Sequence, residues 1–351
     1  MPSRSAYAKA GVDIQLGNQV KETLPSLLAS THRPEVLGKV GGFGGLFAPN
    51  FKRFKRPVLV SSVDGVGTKL KVAFQTRRHD TIGEDLVNHC VNDILVLGAE
   101  PLFFLDYVGA GTLKPSVFDE IIRGFARGCQ ENGCALIGGE TAQMPGFYQR
   151  GEYDVSGTIV GVVDHASMVD GRQTESGDVV LGLKASGLHT NGYSLARRIL
   201  FDQAKLRPSS RLPGCGETVG DALMKVHRSY FKAVHPLLKR YNLPRKTPKI
   251  KAMAHITGGG FQDNIPRSLP SRLDARIELD RWPIPPLFQY LSKAGKVSQK
   301  EMFHVFNMGI GLTMTVHPSI AKSCVQSLKR RGHQAWPIGT IVQGKGQVQL
   351  V

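Results

Sequence analysis

The sequence predicts a mixed α/β (α+β) chain folded as two domains. Three observations carry this. Short apolar strands alternate with amphipathic helices along the chain. A polar, glycine-containing stretch at 164–178 interrupts that alternation. The chain has 351 residues, enough for two domains of about 150 residues each. The break sets the domains at residues 1–168 and 169–351.

In chain order, Asp13 to Ser30 reads as an amphipathic helix with Ile14, Val20, Leu24, Leu27 and Leu28 on its apolar face. Asp13 suits its N-cap, and Pro34 lies beyond its end. Gly41 to Gly45 is a flexible loop. Pro57 to Val63 is a buried strand running into Asp64-Gly65-Val66-Gly67-Thr68-Lys69. Helix 82–98, strand 102–108, helix 115–132, strand 134–137 and strand 155–163 complete the first half. The second half restarts with strand 179–183, followed by His189-Thr190-Asn191-Gly192. Helices follow at 193–201 and 219–241, then strand 252–256 and Thr257-Gly258-Gly259-Gly260. Strands at 275–279, 309–316 and 334–342, with a helix at 319–331, close the chain.

Composition narrows the function classes. No apolar run is long enough to span a bilayer, and the first ten residues lack a signal-peptide core. The cysteines Cys90, Cys129, Cys134, Cys215 and Cys324 form no C-x-x-C. They read as reduced, buried thiols of a cytoplasmic protein. The formal net charge is +17. That raises nucleic acid as a partner. However, the basic clusters, Phe51 to Arg56 the densest, are scattered, and no nucleic-acid-binding motif accompanies them. A solvated basic surface is the better reading, and no nucleic-acid or membrane partner is expected.

There are 40 glycines, about one residue in nine against a typical ~7%. Many sit at strand ends: Gly65 and Gly67, Gly109 and Gly111, Gly138 and Gly139, Gly187 and Gly192, Gly258 to Gly260. Tight turns explain any one of these. Several together, each beside a polar residue, point to a phosphate-rich site built from many strands. The scarce acids are placed to match. Asp64 follows a buried strand directly. At 100° per residue, Asp85, His89 and Asn92 share one face of the 82–98 helix, with Asp93 at its edge. That face carries neither Lys nor Arg. Asp106 and Glu140 stand near the ends of two other strands. Such oxygen ligands suit Mg²⁺ held together with substrate phosphates; the same acids also suit helix caps and surface ion pairs. Thr68 and Lys69 suit phosphate contacts, and Lys69 equally a solvated face. Thr190 and Asn191 suit either a helix cap or an anion site, and His189 an acid or base near neutral pH.

Several motifs follow in one order. They include Ala10-Gly-Val-Asp-Ile14, Arg33-Pro-Glu-Val36, Gly41-Gly-Phe-Gly44, Asp64-Gly-Val-Gly-Thr-Lys69 and Arg78-His-Asp-Thr-Ile-Gly83. Cys90-Val-Asn-Asp93, Gly98 through Tyr107, Gly138-Gly-Glu-Thr-Ala142, Met144-Pro-Gly146, His189 through Ser194 and Ala254 through Gly260 complete the run. From about Ser5 to Ile341 the chain resembles the phosphoribosylformylglycinamidine cyclo-ligase family. The resemblance implies a two-domain PurM-like fold. It also implies a homodimer whose N-terminal domains pair through their strands, with the nucleotide site in a cleft at the domain and dimer interface. It implies an enzyme that uses ATP and Mg²⁺ to close the imidazole ring of formylglycinamidine ribonucleotide, releasing ADP and phosphate.

Carried onto this chain, the resemblance implies Asp64, Asp93 and Glu140 as metal and triphosphate residues, with Asp85, Asn92 and Asp106 behind them. Gly65, Gly67, Thr68, Lys69, Gly138, Gly139 and Thr141 would meet the nucleotide. His189, Thr190 and Asn191 would face the substrate and Gly258, Gly259 and Gly260 its 5′-phosphate, with His189, Asp64 and Lys69 as catalytic candidates. Related families fit less well. The glycine segment has no reactive cysteine of the selenophosphate synthetase kind, and the chain ends Gln349-Leu350-Val351, without the cysteine of a hydrogenase-maturation carbamoyl dehydratase.

Overall fold

The computed structural model describes residues 24–38, 42–112, 114–242 and 247–351. The Ala10–Ile14 motif, most of the helix expected from Asp13, and Gly41 lie outside them. Leu24 to Ala29 is helical (α1), and Val36–Leu37 (β1) pairs with Leu46–Phe47 (β2).

The apolar run from Pro57 becomes β3 (Pro57–Gly65). The chain continues through α2 (Lys69–Thr76), α3 (Ile82–Leu95), β4 (Glu100–Ala110), α4 (Pro115–Asn132), β5 (Ala135–Gln143) and β6 (Tyr153–Asp164). These strands form one sheet in the order β3-β6-β4-β5. β4 and β5 run parallel because α4 crosses between them; the other pairs are antiparallel. Ile82, Leu86, Cys90 and Ile94 recur at helical spacing along α3 and are fully buried. α3 packs on α4 and on the strands of this sheet. The opposite face of the sheet is open. It carries Leu59 and Val63, 61% and 65% exposed, beside the half-buried Phe103, Leu105 and Tyr107.

After Asp164 the chain passes to a second sheet. Its elements are β7 (Val179–Lys184), α5 (Tyr193–Arg197), α6 (Val219–Leu223), α7 (Phe231–Tyr241), β8 (Ile250–His255), α8 (Gly260–Asn264) and β9 (Leu273–Ile277). They continue with α9 (Pro286–Gly295), α10 (Gln299–Val305), β10 (Ile310–Val316), α11 (Pro318–Arg330), β11 (Ala335–Gln343) and β12 (Val348–Leu350). The strand order is β12-β9-β11-β7-β10-β8. One apolar core runs through both units, from Leu86 and Phe104 to Phe303 and Ile341.

The helix expected over 219–241 is two helices, α6 and α7, with an irregular loop at 224–230 between them. The helix expected over 193–201 passes from α-helical to π-helical at Arg198. All five cysteines are free; Cys90, Cys129, Cys134 and Cys324 are buried and Cys215 half-buried. No helix among the described residues is long and apolar enough to cross a membrane.

Candidate active site

The carboxyl end of β3 and the polar face of α3 meet the carboxyl end of β8 and the turn after β7. Asp64, one residue from the end of β3, places Oδ2 2.8 Å from His89 Nε2. One turn further along α3, Asp93 Oδ2 stands 3.7 Å from the same nitrogen. Asp93 Oδ1 is 2.8 Å from Nδ1 of His255, the last residue of β8. Ser62 Oγ donates to Asp93 Oδ2 at 3.0 Å, and the Gly65 amide to Asp64 Oδ1 at 2.6 Å. Both carboxylates keep a partly exposed edge, while both imidazoles are buried.

Behind this front lies a polar layer. Thr190 Oγ1 is 2.6 Å from His89 Nδ1 and 3.3 Å from His227 Nδ1. His227 Nε2 lies 3.0 Å from His255 Nε2 and 3.2 Å from Asn92 Nδ2. The His189 ring stacks on that of His227 at 4.1 Å. Burial pushes Asp64 and Asp93 up, but the facing histidines outweigh it and hold both below the usual carboxylate range. Burial pushes His89 down, and the two carboxylates more than reverse this. Burial and neighbouring positive charge hold His189 and His227 well below the usual histidine range.

The polar face of α3 is thus explained: it is an interface between the two units. Asp85 accepts from the His227 amide at 2.7 Å. Asn92 accepts from the Tyr230 amide at 3.0 Å and donates to the Arg228 carbonyl at 2.9 Å. These bonds hold the 224–230 loop open. Helix propensity would have joined α6 to α7, but α3 takes the backbone groups that a continuous helix would use. His227 was invisible for that reason, lying inside a segment that reads as plain helix. His255 had only its place beside the Thr257–Gly260 turn to mark it.

Several expected site residues stand elsewhere. Lys69 and Asp85 are both fully buried and form a 2.7 Å ion pair. Lys69 also donates to the Lys225 carbonyl at 2.7 Å. They are therefore closed on each other rather than turned to the cleft, and Asn92 is spent on the loop backbone. His189 is 1% exposed, and its Nε2 accepts from the Ser186 amide at 3.2 Å; it lies behind the cleft, not in it. Thr190 and Asn191 do not cap α5, whose N-cap is Gly192 without a side-chain bond. Thr190 faces the histidines, and Asn191 Nδ2 is enclosed without a partner among the described residues.

Strand pairing locates the remaining acids. Asp64, Gly157, Asp106 and Gly139 form one row across the sheet, and Gly65, Ser156, Tyr107 and Glu140 the next. Side chains of paired residues share a face and successive rows alternate. Asp106 therefore shares the face of Asp64, two strands and about 10 Å away. Burial pushes its carboxyl up to about 7. Glu140 is on the other, open face, three strands and about 14 Å from β3, with Oε1 on the Thr141 amide at 2.7 Å. Within one chain Glu140 does not converge with Asp64 and Asp93.

Thr68 Oγ1 lies 3.0 Å from Ser194 Oγ, joining the Asp64–Lys69 loop to α5. In the Thr257–Gly260 turn, Asn264 Nδ2 donates to the carbonyls of Gly258 and Gly260 at 3.1 and 2.8 Å.

Residues 53–163 match the family model "AIR synthase related protein, N-terminal domain", and residues 175–351 its C-terminal counterpart. The phosphoribosylformylglycinamidine cyclo-ligase of Alkaliphilus metalliredigens is 48% identical over 344 residues, covering 98% of this chain and 97% of that protein. That of Geobacillus thermodenitrificans is 50% identical over 341 residues, with 97% and 96% coverage. Among solved structures, thiamine-monophosphate kinase from Stenotrophomonas maltophilia has a TM-score of 0.64 at 17% identity, covering 93% of this chain and 95% of that one. Hydrogenase maturation protein HypE in complex with ATP has a TM-score of 0.63 at 16% identity, covering 92% and 88%. At such identities these two structures speak to the fold alone.

Proposed function

The chain belongs to the phosphoribosylformylglycinamidine cyclo-ligase family, and on that premise we propose how its site works. The enzyme is an ATP-dependent ligase of purine biosynthesis that closes formylglycinamidine ribonucleotide to 5-aminoimidazole ribonucleotide. The formamide oxygen is a poor leaving group. Transfer of the γ-phosphoryl group to it breaks the bond to ADP and gives an iminophosphate. The amidine nitrogen then attacks the same carbon, the C–O bond breaks, phosphate leaves with the formyl oxygen, and the ring nitrogen gives up a proton. Such transfer calls for positioning and charge neutralisation more than covalent protein chemistry.

The observation that carries the reading is the meeting of Asp64 and Asp93 with His255 from the other unit, 2.8 Å from Asp93. Two carboxylates with partly exposed edges fit a divalent cation shared with phosphates. Asp64 and Asp93 would hold Mg²⁺, which would supply neutralising charge for the transferred phosphoryl group. The chain itself orients Asp64 through His89 and Gly65, and Asp93 through His255 and Ser62. Gly67 and Thr68 lie on the loop beside Asp64 and serve the triphosphate. Asn191, whose Nδ2 has no partner among the described residues, serves the substrate. Gly258 to Gly260 serve the 5′-phosphate; with two of their carbonyls tied to Asn264, an anion meets less lone-pair repulsion.

We take residues 1–168 and 169–351 as the domains and the protein as a cytoplasmic homodimer. The open face with Leu59 and Val63 is the surface on which a second copy sits. Gly138, Gly139, Glu140 and Thr141 lie on β5 of the same sheet, and Glu140 on its open face, so they join the nucleotide site from that side. The free thiols suit the cytoplasm.

Substrate labelled with ¹⁸O in the formyl group tests the chemistry. The label is expected in inorganic phosphate. Phosphate without label would exclude the iminophosphate.

A further inference from the structure

A second cavity, of about 440 Å³, opens between the end of β7, the 224–230 loop and the start of α9. Asp64, Asp93 and His255 do not line it, so it is separate from the cleft. Its polar lining is unevenly charged. Lys184, Lys225 and Arg228 stand against one acid, Glu217, which is already 2.6 Å from Lys225. Lys184 Nζ donates to the Gln334 side-chain oxygen at 3.0 Å. Neither Lys184 nor Arg228, both half-buried, has a carboxylate partner among the described residues. Their charge is left for an incoming anion. The rest of the wall is mainly apolar, with Ala185, Ala222, Pro285 and Pro286. The loop that presents the cations is fixed from behind. The Lys225 carbonyl accepts from Lys69 at 2.7 Å and the Arg228 carbonyl from Asn92 at 2.9 Å. Between them, the Val226 carbonyl accepts from Ser186 Oγ. A few fixed polar groups on an apolar wall, at this volume, are the form of a small-molecule site.

We propose that this cavity binds a phosphate monoester whose organic part carries an apolar-faced ring, with the phosphate on Lys184 and Arg228 and the ring against Pro285 and Pro286. The planar guanidinium of Arg228 can give two parallel hydrogen bonds to phosphate oxygens, and Lys184 adds a point charge. Burying one face of a ring on the prolines removes apolar surface from water. A nucleoside monophosphate is a simple molecule with both parts. The cation nearest Glu217, Lys225, is spent on that acid, which leaves the other two to set the affinity. The proposal does not depend on the ring-closure reading, because none of the residues assigned to that chemistry takes part.

The test needs no turnover. Cys215 lines the same cavity and is half-buried, whereas the other four cysteines are buried. Its alkylation by iodoacetamide therefore reports occupancy, and the buried thiols report the fold. The full-length protein, without ATP or Mg²⁺, is alkylated in rising concentrations of AMP, adenosine or inorganic phosphate, and each cysteine is followed by peptide mass spectrometry. Expected is saturable protection of Cys215 by AMP, about tenfold at ten times its dissociation constant. Adenosine should not protect, and phosphate should do so only at much higher concentration. Lys184→Gln and Arg228→Gln are each expected to raise the AMP concentration required by about tenfold or more, with the reactivity of Cys215 in the absence of AMP unchanged. Should Arg228→Gln disturb the 224–230 loop, Lys184→Gln still decides. Protection by adenosine or by phosphate equal to that by AMP, or wild-type protection in a folded variant, overturns the proposal. Protection that disappears in Asp93→Asn would place AMP in the cleft and overturn it as well.

Discussion

Lys69 is fully buried; its ammonium group rests on Asp85 and the Lys225 carbonyl. Burial pushes Lys69 down and Asp85 up from their ordinary values, and mutual contact opposes both shifts. Removing one partner leaves a buried charge alone, so Lys69→Met is expected to cost about 3–5 kcal/mol. The double variant with Asp85→Asn should recover part of that. Denaturant melts check it; a loss below about 1 kcal/mol for the single variant would make the pair no better than a surface one. Asp106 behaves differently, because burial pushes it up to about 7 without an ion pair among the described residues. A raised carboxyl favours the fold below the unfolded pKa near 4, and that advantage is lost as pH rises through the folded value. Asp106→Asn should therefore raise Tm at about pH 8, with the gain shrinking toward about pH 4. A gain independent of pH would contradict this. The residue types at the site were legible from sequence, and their protonation was not. Lys69, His189 and Asp85 all read as working polar groups, because burial by a distant segment leaves no local mark.

At the scale of elements, α3 joins the two units. Its apolar face packs within the first unit, and its polar face holds the 224–230 loop. Its approach to α4 depends on Gly83, where a Cβ would meet the Phe125 amide and the Ile121 carbonyl. Because both are backbone, no side chain can swing away. Gly83→Ala is expected to cost about 1–3 kcal/mol and to lower Tm; an unchanged Tm would show that the helices can part freely. α4 was legible to its ends, since Pro115 and Gly133 bound a strongly periodic run. β3, β4 and β6 were legible as apolar runs, each a few residues short of its full length. α6 and α7 were fused into one helix, because the bonds that part them come from residues more than 130 positions away. The glycine excess has two causes. Gly67, Gly258 and Gly259 sit in loops near the cleft, whereas Gly83, Gly157 and Gly139 leave room for backbone, the Phe104 ring and the Asp106 carboxylate. Composition alone cannot separate these.

At the scale of the molecule, neither unit holds the site by itself. Asp64, His89 and Asp93 come from the first and His255, His227 and Thr190 from the second. In the proposed homodimer the open sheet face, on which Glu140 stands, would bring that residue to the site. Val63→Glu puts a charge on this surface and is expected to give monomers in sedimentation, with activity falling alongside; an unchanged dimer would place the interface elsewhere. The +17 charge raises nucleic acid as a partner, but the site's own residues are carboxylates and imidazoles. The proposed chemistry occurs where Asp64 and Asp93 meet His255. Asp93→Asn tests it most directly, with ring closure assayed under saturating ATP and Tm measured in parallel. Expected is a fall in kcat of about a hundredfold or more, equivalent to about 2.7 kcal/mol, with Tm within a few degrees of wild type. Turnover close to wild type in that folded variant would contradict it.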